Sequence, residues 1–132
     1  KAEVSKYPAT GQSASSDFFT AQSEIKARGP GLKLVAEARR AITDRQFSIA
    51  LQLTERALKS LPTEHSVWRL QAELLVTNKK PRKAIQSALK VRELNPKDPI
   101  SELLLSYCYS AAGDIINSSR AKQRAQSLIR RL

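Results

Sequence analysis

One cysteine, one histidine and four glycines in 132 residues leave little material for catalytic chemistry. The lone Cys108 cannot form an internal disulfide or a multi-cysteine metal site. It lies between two tyrosines with no basic residue close in sequence, so it reads as a small core residue rather than a nucleophile. The lone His65 excludes a histidine-rich metal centre, and Glu64-His65 has no further ligand at metal spacing. So few glycines argue against a glycine-rich phosphate cradle. Aromatic residues are only 5% of the chain, Trp68 reads as core and Tyr107 stands alone, so stacking on nucleic-acid bases is not expected. No run approaches the roughly 20 apolar residues that cross a bilayer. Methionine is absent and the sequence opens on Lys1, the pattern of a fragment or of a processed organellar or exported protein. A single cysteine favours a soluble protein of a reducing compartment. Catalytic residues, metal ligands and cofactors are therefore not expected.

Charge of one sign is plentiful. The chain has 23 Lys+Arg against 12 Asp+Glu, a net of +11. Residues 1–30 hold four basic and three acidic residues, and residues 31–132 hold 19 against 9. Lys79, Lys80, Arg82 and Lys83 cluster, and Lys90 extends the run. Beyond Asp114 come Arg120, Lys122, Arg124, Arg130 and Arg131 with no acid among them. Such a face would meet RNA phosphates without reading bases, or meet an acidic protein or an anionic membrane surface.

The first 30 residues are a different kind of polymer. Ala9 to Ser16 is small, polar and aperiodic, as in flexible chain. Ser16 or Asp17 can cap a short helix, and Phe18-Phe19 needs a surface to cover it, on its own domain or on a partner. Gly29-Pro30-Gly31 is expected to break the chain there, leaving 1–30 as an N-terminal arm.

From Leu32 the apolar spacing is helical and it repeats. Leu34, Val35, Ala38, Ala41 and Ile42 form one stripe, and Phe47, Ala50, Leu51, Thr54, Ala57, Leu58 and Leu61 a second. A third carries Val67, Trp68, Gln71, Ala72, Leu74 and Leu75, and a fourth starts at Pro81 and stops at Asn95-Pro96. A fifth spans residues 100–112 and closes at Gly113, and Asp114 can cap a sixth. Nothing reads as a strand. Pro62 to Pro96, Ala50 to Ala84 and Ala38 to Ala72 are each 34 residues apart. One further step reaches Ser106 from Ala72 and Ser118 from Ala84.

A 34-residue period of paired helices, with small residues in register, resembles the tetratricopeptide repeat family. The resemblance covers residues 31–132 as three repeats, 31–64, 65–98 and 99–132. It implies an all-α, right-handed superhelical solenoid of helix-turn-helix repeats preceded by an extended arm. In that family a small residue sits where the two helices of a repeat cross, here Ala38 with Ala50, Ala72 with Ala84, and Ser106 with Ser118. The family's early aromatic is present only as Trp68. Pro81 departs from the large residue found early in the second helix and suggests a tightened turn. The third repeat has Arg130 in place of the closing proline, as suits a capping helix.

By the same resemblance the first helix of each repeat lines a concave groove. Its positions include Val35, Arg39 and Ile42, then Arg69 and Glu73, then Leu103 and Tyr107. Such a surface suits a peptide with apolar anchors and an acidic group, with Arg69 free to pair internally with Glu73 instead. Family members that grip acidic chaperone C-termini use Lys, Asn and Arg at set places. Here those places hold Val35, Arg39, Leu70, Ser66 and Leu103, so that use is not expected. The function expected is a non-enzymatic protein-interaction adaptor or scaffold in a larger complex. The alternative is a ribonucleoprotein subunit contacting phosphates through the basic face.

Overall fold

The computed structural model describes residues 28–132. The arm carrying Phe18 and Phe19 lies outside them. Six helices occur among the described residues, and no strand. α1 covers residues 28–43 of that range, α2 is Phe47–Ser60 and α3 is His65–Thr77. α4 is Pro81–Leu94, α5 is Pro99–Ala111 and α6 is Ile115–Arg130. From α2 on, each helix packs on its chain neighbours, and α3 also touches α5.

One expected boundary moves. Gly29, Pro30 and Gly31 lie inside α1 rather than before it. The reason is tertiary packing, which overrides local propensity. A Cβ on Gly31 would meet Leu61 Cγ at 2.8 Å and Ser60 Cβ at 2.9 Å, so glycine lets α1 lie close against the end of α2.

The period seen in the sequence recurs in the backbone. Left-handed residues occur at Arg45, Lys79 and Gly113, with φ of 60°, 63° and 84°. In each turn the next residue's N–H reaches back five residues. Gln46 donates to Ala41 O at 2.8 Å, Lys80 to Leu75 O at 2.7 Å and Asp114 to Tyr109 O at 2.9 Å. This closure satisfies carbonyls that the ending helix leaves open. The turn before Pro81 is thus built like the other two, and the proline sits in the first turn of α4, where a missing N–H is harmless. Only glycine adopts the left-handed region without cost. Lys79→Gly should therefore raise stability by about 0.5–1 kcal/mol in urea denaturation, since Lys79 is exposed and the gain is in backbone strain. Unchanged or lower stability would refute the strained turn.

The core follows the same register. Ala38, Ala50, Ala72 and Ala84 are each fully buried, and Ser106 and Ser118 are 3% and 5% exposed. The two serine Oγ atoms are 2.9 Å apart, and Ser118 Oγ donates to Ser106 O at 3.0 Å. The crossing of α5 and α6 is thus closed by hydroxyls where the earlier pairs use methyls. Leu105 and Cys108 fill the centre beside it. Burial pushes the Cys108 thiol up to about 12, with the Glu73 charge adding, so the sulfur is inert packing.

Aspartates cap the last two helices. Asp98 accepts from the Ile100 N–H at 2.9 Å and Asp114 from the Asn117 N–H at 3.1 Å. The Asn117 side chain, then its backbone N–H, holds the Asp114 carboxyl below its ordinary range. The face of α6 in register with Leu51, Thr54 and Leu58 of α2 carries exposed Ser119, Lys122 and Gln126, which suits contact with water.

Candidate functional site

Helices α3 and α5 pack side by side and leave a cavity of about 440 Å³ between them. It is lined by Arg69, Glu73 and Thr77 from α3, and by Ile100, Leu103, Leu104 and Tyr107 from α5. The helical spacing of Arg69, Glu73 and Thr77 places all three on one edge of α3, and the same spacing aligns Ile100, Leu103 and Tyr107 on α5. One wall is polar and the other apolar. Ile100 and Leu103 are each 44% exposed and Tyr107 is 51% exposed, a contiguous apolar strip open to solvent.

Four residues expected in the groove therefore meet in one cavity: Arg69, Glu73, Leu103 and Tyr107. The other three do not line it. Val35 is half-buried against Leu58, Leu61 and Val67, and Ile42 packs on the main core. Arg39 is exposed on α1. Arg69 Nε stands 3.9 Å from Glu73 Oε2, a loose pair between half-exposed side chains. So exposed a pair contributes little to stability, and its arginine is available to an incoming carboxylate.

The basic face divides. Lys79, Lys80, Arg82, Lys83, Arg120 and Lys122 are exposed and form no ion pair among the described residues. Lys90 is half-buried and pairs with Glu93 at 3.4 Å. Arg124 is not a free cation: its Nε donates to Glu102 Oε1 at 2.9 Å. Arg92 Nη1 approaches the same carboxylate at 3.8 Å. Glu102 is only 4% exposed, so two arginines from α4 and α6 clasp a buried acid on α5. The sequence reading missed this clasp. Its signal was there in the period, because Arg92 stands in register with Leu58 and Glu102 with Trp68. Opposite charges had replaced two apolar neighbours together.

Trp68 is half-buried rather than fully in the core, and its indole N–H donates to Pro62 O at 2.8 Å. It lines a second, outer cavity of about 590 Å³ between α2 and α4. His65 is exposed at the start of α3. Among the described residues no cluster of three or more His, Cys, Asp or Glu side chains could hold a metal, and no helix is long and apolar enough to cross a membrane.

No protein-family profile and no curated protein sequence matches the chain. Solved structures do. The first tetratricopeptide domain of Spaghetti (RPAP3), bound to an HSP90 peptide, superposes with a TM-score of 0.70 at 13% identity, covering 76% of this chain and 80% of that one. The Sgt2 tetratricopeptide domain from Aspergillus fumigatus gives 0.68 at 19% identity, over 74% of this chain and 65% of its own. MamA MSR-1 gives 0.71 at 17% identity and covers 95% of this chain and 72% of its own. Together with the recurring turns and the small residues at the crossings, these likenesses establish the fold: the chain is an all-α, right-handed solenoid of tetratricopeptide helix pairs.

Proposed function

We propose that this chain is a non-enzymatic adaptor that holds a partner peptide against α3 and α5 and so joins a larger complex. The carrying observation is the exposed strip of Ile100, Leu103 and Tyr107 facing Arg69 and Glu73 across one cavity. An apolar strip beside a cation fits a peptide with a large apolar anchor and an acidic residue next to it. Helix pairs bounded at 31–64, 65–98 and 99–132 would present that cavity on the concave side. The RPAP3 domain, of the same fold, is bound to a peptide, which supports the class of ligand. The residues at the chaperone-clamp places here, among them Val35, Leu70 and Leu103, favour a less acidic partner than a chaperone C-terminus.

A second reading keeps one observation of its own. Lys79, Lys80, Arg82 and Lys83, exposed and unpaired among the described residues, form a cluster that would meet RNA phosphates in a ribonucleoprotein. One experiment separates the two. The tagged protein is purified from its source cells, with nuclease added to half of each sample. Adaptor function predicts the same protein partners in both halves and their loss with Leu103→Asp or Tyr107→Ala. Loss of an anchor costs about 2 kcal/mol, roughly thirtyfold in affinity. Charge reversal at Lys79, Lys80 and Arg82 should leave those partners bound. Partners that vanish with nuclease, and with the reversal alone, would establish the ribonucleoprotein reading instead.

A further inference from the structure

The outer cavity is built from three helices. Glu55 comes from α2, Trp68, Gln71 and Leu75 from α3, and Lys83, Ser87 and Lys90 from α4. At about 590 Å³ it is larger than the α3–α5 cavity. Gln71 is 7% exposed; its Oε1 accepts from Ser87 Oγ at 3.0 Å, and its amide nitrogen has no partner among the described residues. That amide group is thus a donor held at the cavity wall. Lys83 forms no ion pair among the described residues, and Lys90 is held only by Glu93, whose side chain is 69% exposed.

The same register one period later shows what such a place holds. A smaller cavity of about 280 Å³ is lined by Pro96, Glu102 and Arg124, in register with Pro62, Trp68 and Lys90. There the chain supplies its own carboxylate, Glu102, to the α6 cation at 2.9 Å. In the outer cavity the indole of Trp68 stands where that carboxylate would start. The α4 cations remain, and the space in front of them is open.

We propose that this outer cavity is a second docking site, which takes the glutamate or aspartate side chain of a partner protein. The entering methylenes lie on Trp68, Leu75 and Pro62. The carboxylate meets Lys83, Lys90 and the Gln71 amide, and Lys90 exchanges Glu93 for it. Glu55 lines the same cavity and carries the ligand's own sign, and the two lysines of α4 outnumber it. The site is separate from the α3–α5 groove and does not depend on it.

Trp68 is the only tryptophan, so its indole N–H resonance reports this cavity alone. The probes are two capped pentapeptides, identical except for a central Glu or Gln, titrated into the full chain. The Glu peptide should shift the indole signal and bind at least tenfold more tightly than the Gln peptide. Lys83→Glu with Lys90→Glu should weaken it at least tenfold, and so should the milder pair Lys83→Ala and Lys90→Ala if the reversal disturbs folding. Leu103→Asp should leave it unchanged, even if the groove reading fails. Equal binding of the two peptides, no indole shift, or unaltered binding by both lysine pairs would overturn the proposal. So would a shift produced by an oligothymidylate and not by the Glu peptide, which would give these cations to nucleic acid.

Discussion

Arg124→Ala should cost about 3 kcal/mol of folding stability, far more than the loss of a surface arginine. The arginine itself is not buried, since 43% of its side chain is exposed; the carboxylate that it serves is, at 5%. Removing the guanidinium leaves Glu102 in the interior with only Arg92, at 3.8 Å. A buried acid with half its partners pays most of its desolvation. Glu102→Leu should cost much less, about 1 kcal/mol, because the two freed arginines reach water. The double variant should resemble Glu102→Leu alone, giving a coupling of about 3 kcal/mol between the pair. Urea denaturation of the four proteins completes this cycle. A loss below about 1 kcal/mol for Arg124→Ala would show that the acid does not need its clasp.

Ala72→Leu should be comparably damaging, again by about 3 kcal/mol. Ala72 has no exposed surface and lies one period before Ser106, whose hydroxyl is 2.9 Å from the facing helix's Ser118. Helices that approach so closely leave space for a methyl or a hydroxyl and no more. A leucine must push α3 from α4, and the cost falls on every contact of that pair. Ala36→Leu is the control, because Ala36 is exposed on α1 and the larger side chain projects into water. It should change stability by less than about 0.5 kcal/mol. Equal effects at the two positions would mean that the crossing is loose.

The helices, their turns and the small crossing residues were legible because each obeys a local or periodic rule. Alanine at 38, 50, 72 and 84 signals close approach, and prolines at 62 and 96 stop helices. What escaped reading depends on distant neighbours. Glu102 is a buried acid only because Arg92 and Arg124, ten and 22 residues away, converge on it from two other helices. Gly31 read as a breaker because its reason, the nearness of Leu61, lies one helix away. The groove was legible in part. Arg69, Glu73, Leu103 and Tyr107 share a cavity, whereas Val35 and Ile42 settle onto the core, and the helical period alone does not separate rim from interior. The outer cavity had no sequence signal, since its walls come from α2, α3 and α4 together.

From α2 to α6 the described helices pack mainly on chain neighbours, with α3 also against α5. Mechanically this is a leaf spring rather than a sphere. A small rotation at each joint adds up along the stack, so its curvature changes without any one interface separating. In the adaptor proposed above, slender and bulky peptides would then be gripped by the same residues, with the strain shared among joints instead of concentrated at the ligand. The energy of bending enters the affinity, and a variant that stiffens a joint far from the peptide would alter which partner is preferred.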